Sequence, residues 1–329
     1  MTTMLRRTMK VSILVPVYGV EKFIEECAVS LFGQTWQDLE YIFVDDCSPD
    51  DSIAKLREVL QRYPDRAAQV RIIRHDRNRG SGAARATLLQ AATGDFVVFA
   101  DSDDIMETNA VELLCQCQQQ SGADIVTGAF VRLFADGSHG QPVLPWTGSK
   151  EDMLRLMLVQ NTIEHHLWAR LIRRSLFADH GIDFQEGINM AEDYSMMTRL
   201  LFVASSHAYI NNVVTYYREN TTGTFYNWLT PRNIHSFIGA NRIAGNFLKD
   251  HDPEGRYSYP FQTGLFNVRH RAMQVGLKPR EIEAECHFPT KNFLFRLCRM
   301  LFFHRPVRYL MRLSYLVLKH FYVKNVKKR

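Results

Sequence analysis

Three short acidic stretches hold the residue types with which this sequence could do chemistry. "DFVVFADSDDIM" (95–106) sets Asp101, Asp103 and Asp104 within four residues, directly after an apolar run. "YIFVDDCSPDDS" (41–52) ends another apolar run on Asp45 and Asp46, and "AEDYSMM" (191–197) opens on Glu192 and Asp193. Carboxylates packed this closely repel one another, which raises the question of what cationic partner, if any, offsets the arrangement. One acidic pair alone reads equally well as a solvated turn or a helix cap. Two such groups, each following a buried strand, favour a divalent cation, since Mg2+ or Mn2+ takes oxygen ligands and neutralises the repulsion.

The elements that must position these groups are legible as alternating periodicities over the first 130 residues. Strands are expected at 11–18, 39–46, 69–75, 95–101 and 123–130, and helices at 21–34, 48–63, 80–94 and 107–122. The second helix has Ser48 as its expected cap, Pro49 in the first turn, and Asp50 and Asp51 facing the macrodipole. Gly94 is expected to close the third. This alternation predicts an α/β protein with a Rossmann-like, mainly parallel sheet flanked by helices. In such sheets ligands bind beyond the carboxyl ends of the strands, and "PVYG" (16–19), Asp45-Asp46 and the Asp101–Asp104 group all fall there.

Beyond residue 130 the alternation breaks down. A loop or hairpin is expected at 134–149, helices at 150–160 and 191–205, and a strand at 209–220. Residues 166–181 read as strand or irregular structure leading to a helix, and from Thr230 the chain reads as helical with an interruption at 250–260. The Gly-Ser-Gly turn at 80–82 is either a phosphate cradle or simply a sharp entry to a helix, and the Walker Lys and Ser/Thr are absent. The adjacent His165 and His166 have no partner at metal-ligand spacing, which favours surface roles.

With 46% hydrophobic and 23% charged residues, the 329-residue chain has ample material for a core. Its six cysteines form neither a disulfide framework nor a zinc pattern, which favours a reducing cytoplasm. No signal-peptide pattern or apolar stretch of membrane-spanning length is present. The net charge of +5 is unevenly spread: eleven Lys/Arg and no Asp/Glu lie from Cys286 onward, leaving 29 basic against 35 acidic groups before it. In 292–329 the basic residues interleave with Leu, Phe, Met and Tyr, and Phe293, Leu294, Leu297 and Leu301 fit one helical face. That composition is expected to rest on an anionic membrane surface from the cytoplasmic side. The alternative is a helical subdomain packed on the core. The apolar content argues against nucleic-acid binding.

Taken in order, "VSILVPVYGVEKFIEECAVSLFGQTW", "YIFVDDCSPDDS", "NRGSGAARATLLQAATGDFVVFADSDD" and "AEDYSMM" resemble the family 2 glycosyltransferases over about residues 10–220. The resemblance implies the nucleotide-sugar-binding type-A fold and an inverting, metal-dependent transfer of sugar from a nucleotide-diphosphate donor. It places Pro16, Val17 and Tyr18 against the nucleobase and has Asp46 accept a hydrogen bond from that base, consistent with uridine. Arg85 would lie near the donor phosphates or the Asp-x-Asp loop. Asp101 and Ser102 would lie on the donor and Asp103 on the metal, with Asp101 toward ribose or metal. Asp104 would be a cap or support. Asp193 would be the base that deprotonates the acceptor hydroxyl, beside Glu192 on the acceptor side. Arg218 would meet the diphosphate. "HLWARLIRRSLF" (166–177) resembles the acceptor-lining segment, in which Trp168 would either stack on a sugar or fill the core.

Three positions depart from the family pattern: Gly19 stands where Asn is usual, Cys47 where Gly is usual, and Arg170 where Lys is common. The implied organisation is a catalytic domain over 1–229, with a nucleotide-sugar half at about 10–130 and an acceptor half at 131–229, followed by the basic helical region 230–329. The acceptor would be a glycan or lipid-linked glycan in polysaccharide or surface-glycan synthesis. Two rivals remain. A sugar nucleotidyltransferase usually has a Gly-rich, Arg-containing loop after its first strand, which "VPVYGVEKF" lacks, and in a non-catalytic cation-binding scaffold Asp193 would be dispensable.

Overall fold

A computed structural model of the chain describes residues 9–160, 162–219 and 229–286, with a few positions between 316 and 326. Most of the expected amphipathic tail therefore lies outside the described residues. The chain divides into two compact units, each assembled from separate stretches: 1–147, 167–187 and 203–221 in the first, and 148–166, 188–202 and 222–329 in the second.

The first unit is built on strands β1 (Val11–Val17), β2 (Leu39–Asp45), β3 (Val70–Arg74), β4 (Phe96–Phe99), β5 (Ile105–Met106), β6 (Ile125–Leu133), β7 (Arg170–Arg173) and β8 (His207–Arg218). They form one sheet in the order β3-β2-β1-β4-β7-β6-β8-β5. Helices α1 (Ile24–Phe32), α2 (Ser52–Gln61), α3 (Ser81–Ala91) and α4 (Ala110–Ser121) are interleaved with the first six strands. The mixed α/β architecture is the expected one, and β3, β2, β1 and β4 run parallel. The other half is mixed: β7 inserts antiparallel between β4 and β6, and β8 runs parallel to β6. The sequence pattern makes β6 a fifth strand of the mainly parallel sheet. Period-2 patterning identifies a strand but carries no information about a partner forty residues away, so the insertion of β7 was not readable.

Two local expectations are revised. Helix α2 starts at Ser52, not near Ser48, because residues 46–51 form a loop in which the Ser48 N–H donates to Asp45 Oδ1 at 2.8 Å. Gly94 does not close α3, which ends at Ala91 and is followed by Ala92 in extended conformation. Its small size is needed for a close approach, since a Cβ there would lie 2.7–2.9 Å from Ser12 and the Lys10 carbonyl.

That approach belongs to a polar knot at the amino ends of the strands. Glu40 accepts from the Ser12 hydroxyl, from Lys10 Nζ at 3.1 Å, from the Thr93 N–H and hydroxyl at 2.6 and 2.8 Å, and from the Gly94 N–H at 3.1 Å. The knot ties β1, β2 and the α3–β4 connection together.

The second unit holds α5 (Lys150–Val159), a further helix α7 (Glu192–Val203) after the short α6 (Ser175–Asp179) of the first unit, and α8 (Pro231–His251), α9 (Ser258–Gln274) and α10 (Pro279–Cys286). The region from Thr230 is helical, as its pattern predicts. Gln160, just past α5, donates to Asn241 on α8 at 2.8 Å and accepts from Asn267 on α9 at 2.9 Å, so one buried amide joins three helices. Arg269 and Glu283 pair at 2.7 Å between α9 and α10. No described helix is long and apolar enough to cross a membrane.

Burial alone would raise the Glu40 carboxyl, but its hydrogen bonds outweigh this and hold it down at about 2, against 4.5 ordinarily. A depressed carboxylate contributes stability above its unfolded value and loses it as pH falls through the folded one. Glu40→Gln is therefore expected to lower unfolding free energy at pH 7 by about 2 kcal/mol. The difference should shrink as pH falls from 4.5 toward 2, as followed by urea denaturation; equal stability of the two proteins at pH 7 would refute it.

Candidate active site

Register brings the acidic groups to one edge. Pro16 and Val17 of β1 lie opposite Val44 and Asp45 of β2, and on the other side of β1 the Ala100 N–H donates to the Leu14 carbonyl at 3.0 Å. The carboxyl ends of β2, β1 and β4 thus set Asp45-Asp46, Pro16–Tyr18 and the Asp101–Asp104 loop side by side. Val17 is fully buried and offers this edge only its carbonyl, which accepts the Asp46 N–H at 2.9 Å. Tyr18 is 49% exposed.

The loop at 101–104 is clasped by two arginines. Arg85, buried on α3, donates to Asp101 Oδ1 at 2.8 Å. The second arrives through strand pairing. Ile105 lies opposite Tyr216 and Met106 opposite Thr215 in the antiparallel β5–β8 pair, which carries Arg218 to the level of Asp103. The Arg218 N–H donates to Asp104 Oδ1 at 2.8 Å and its Nε to the Asp103 carbonyl at 3.0 Å. Its guanidinium also pairs with Glu26 of α1 and lies 5.2 Å from the centre of the Phe23 ring.

Asp104 and Ser102 are buried in the loop. Burial first, then the charges of Asp103 and Asp101, push the Asp104 carboxyl well above the usual range. Asp104 supports the loop through Arg218 and the Asp104 N–H, which donates to the Asp101 carbonyl at 3.1 Å. Cys27 donates its thiol to the same carbonyl at 3.6 Å. Burial and the loop's carboxylates raise that thiol, so it keeps its proton.

Asp46 is buried and works inside the protein. Its Oδ1 accepts from the Arg79 N–H at 2.9 Å and meets His75 Nδ1 at 2.7 Å, while Oδ2 accepts the Gly80 N–H at 2.7 Å. His75 Nε2 lies 3.0 Å from the Thr87 hydroxyl. The entry to α3, and with it Arg85, is thereby tied to the end of β2. His75 lies outside the motifs that the sequence offers, although an imidazole directly after a strand at this sheet edge was a usable signal. Glu26, on the exposed face of α1, gave none.

Trp168 lies in the core of the first unit, stacked on Tyr217 at 5.3 Å and meeting Phe130 edge-on at 4.8 Å. His166 is buried, against the expectation of a surface position. Glu192 and Asp193 form the first turn of α7 in the second unit.

Four non-glycine residues among those described have positive φ: Cys47 (60°), Gln160 (66°), Ala169 (56°) and Ala191 (62°). Cys47 follows Asp46, Ala169 follows Trp168, and Ala191 precedes Glu192. Left-handed backbone at residues with a Cβ is strained, and such strain concentrates where geometry serves function. It also explains why glycine would suit position 47.

The carboxylate oxygens of Asp101 and Asp103 are of the donor type that suits a hard cation such as Mg2+ or Mn2+. Among the described residues no group of three or more His, Cys, Asp or Glu side chains could hold a metal by itself.

This sheet, with an arginine-clasped acidic loop at its carboxyl edge, has the type-A nucleotide-sugar-binding architecture. The family profile of glycosyl transferase family 2 matches residues 12–181, and the chain belongs to that family. EpsJ of Bacillus subtilis (strain 168), an uncharacterized glycosyltransferase, is 33% identical over 217 residues, 64% of this chain and 61% of EpsJ. The match thus spans less than two thirds of that relative's length. Among solved structures, S. aureus TarS 1-349 in complex with UDP-GlcNAc superposes with a TM-score of 0.60 at 18% identity, over 93% of this chain and 92% of that one. The mannosyltransferase PcManGT from Pyrobaculum calidifontis, in complex with GDP-Man and Mn2+, gives 0.55 at 18% identity over 96% and 87%. At these identities the likeness is one of fold.

Three substitutions probe the site's energetics. Arg85→Gln should destabilise the chain by about 1–3 kcal/mol, less than a fully buried pair because Asp101 keeps some solvent. Asp101→Asn should recover part of that loss in the double variant, and additive losses in a urea denaturation cycle would exclude the coupling. Cys47→Gly should stabilise the chain by about 1 kcal/mol of relieved strain and so raise the urea midpoint; a lowered midpoint would show that the thiol's packing outweighs the backbone.

Proposed function

We propose that this chain is an inverting, metal-dependent glycosyltransferase that moves a sugar from a nucleotide-diphosphate donor, most simply a UDP-sugar, to a glycan or lipid-linked hydroxyl. The observation that carries this reading is the Asp101–Asp104 loop, held by Arg85 and Arg218 at the carboxyl edge of a family 2 sheet. A nucleotide would lie along that edge, with Pro16 and the exposed ring of Tyr18 toward the base. Asp46 would shape the base pocket through the 79–80 backbone it holds. TarS in complex with UDP-GlcNAc supports a uridine donor, and PcManGT in complex with GDP-Man and Mn2+ supports a divalent cation.

Asp103, with Asp101 and Ser102 beside it, would hold that cation and the diphosphate. When bound, the cation would offset negative charge on the leaving nucleotide. Arg85 and Arg218 place two further positive charges at the same loop. They stabilise the charge that grows as the bond from the anomeric carbon to the diphosphate oxygen breaks. Asp193, aided by Glu192, takes the proton of the acceptor hydroxyl as its oxygen bonds to the anomeric carbon, and the nucleoside diphosphate leaves with the bonding electrons. Its position opening α7 within the family's "AEDY" pattern supports this role. Trp168 acts from the core on the acceptor side, as backing for Tyr217. Peripheral contact of the basic, aromatic-rich 292–329 with anionic membrane fits a lipid-linked acceptor.

Nucleotide release from a panel of sugar nucleotides, with Mn2+, with Mg2+ and with chelator, tests the assignment. Wild type should be active with one donor and metal. Asp193→Asn should lose about 100-fold or more in kcat with little change in donor KM. Activity in chelator would remove the metal role of Asp103, and full activity of Asp193→Asn would remove the base. The full-length chain should float with anionic but not neutral liposomes; equal flotation would sink the membrane contact.

A further inference from the structure

We infer that Ser236 of α8 is a positioning residue for the Glu192-Asp193 turn, which makes the helical region after residue 230 a working part of the catalytic machinery. The inference rests on the reading of Asp193 as base. Its grounds lie in the second unit alone.

Ser236 is buried. Its Oγ accepts the N–H groups of both Asn189 and Met190, each at 2.8 Å, and donates toward the Met190 carbonyl at 3.4 Å. A hydroxyl offers two lone pairs and one proton, so the entire hydrogen-bonding capacity of this side chain is spent on the backbone of two consecutive residues. One turn further along α8, Gly239 lets the same segment come close: a Cβ there would stand 2.6 Å from Ile188 Cδ1. Three consecutive residues, 188–190, are thus seated on α8 by a hydroxyl and a missing side chain.

The next residue is Ala191, at φ 62°, and Glu192 and Asp193 follow as the first turn of α7. A left-handed alanine is stable only where its neighbours over-determine it. One side of that constraint is the α7 hydrogen bond from the Ser195 N–H to the Ala191 carbonyl, at 3.1 Å. The other is Ser236. Losing the hydroxyl would release residues 189–190, let Ala191 relax toward ordinary φ, and redirect the carboxylates that follow. Alanine cannot replace the hydroxyl because it removes the acceptor that the two N–H groups share, whereas threonine retains the oxygen.

The test uses the full-length chain as wild type, Ser236→Ala, Ser236→Thr and Asp193→Asn. In Ser236→Ala, the amides of 189 and 190 should exchange with solvent about tenfold faster or more. kcat for nucleotide release from the donor that the panel selects should fall about tenfold or more. UDP affinity, titrated by calorimetry, should stay unchanged, and Ser236→Thr should recover most of both losses. A purely architectural serine would lower the thermal midpoint while leaving kcat well below that midpoint at the wild-type value, and that result overturns the inference. So does unchanged exchange at 189–190. If Ser236→Ala matches wild type while Asp193→Asn is inactive, only this inference fails. If Asp193→Asn is fully active, the reading of the base fails and this inference with it.

Discussion

Three carboxylates crowd one four-residue loop, and arginines from two distant parts of the chain hold that loop in place. Arg85 pairs with Asp101, and Arg218 reaches the backbone of Asp103 and the carboxylate of Asp104. Much of the first unit can be understood as what delivers those two side chains. α3 must start at a fixed place for Arg85 to arrive, and Asp46 fixes it by taking the N–H groups of Arg79 and Gly80. β8 must pair with β5 in one register for Arg218 to arrive, because a shift of one residue would turn it to the other face.

The two edges of the sheet solve opposite problems with the same residue type. At the amino ends, Glu40 is surrounded by donors until its charge is strongly favoured. At the carboxyl ends, Asp104 is buried among like charges until its own is disfavoured. The first edge is closed upon itself and is architectural. The second retains solvent-facing carboxylates, and that difference separates a structural polar cluster from a candidate site.

Much of this was readable from the residues. The alternation up to residue 122 gave the parallel half of the sheet, and placing the acids at its carboxyl edge needed only the rule on where such sheets bind ligands. Neither the antiparallel β7 nor the joining of 148–166 and 188–202 with the later helices was readable, because both depend on pairing over long stretches of chain. Ser48 and Gly94 misled for a different reason. Each is a residue type with two uses, cap or loop anchor in one case and helix stop or close approach in the other, and tertiary packing made the choice. Cys47 was visible as a departure from the family, and its left-handed backbone supplies the physical meaning.

β5 is two residues long and its one partner among the described strands is β8, about a hundred residues later in the chain. As the polypeptide emerges during synthesis, β1 to β4 can assemble early, while the acidic loop stays unfastened until β8 has been made and docked. A late, non-local closure of this kind is slow relative to local assembly. The candidate site's edge is therefore among the last parts of the sheet to take shape, and an incompletely made chain would carry most of the scaffold without the loop's second arginine.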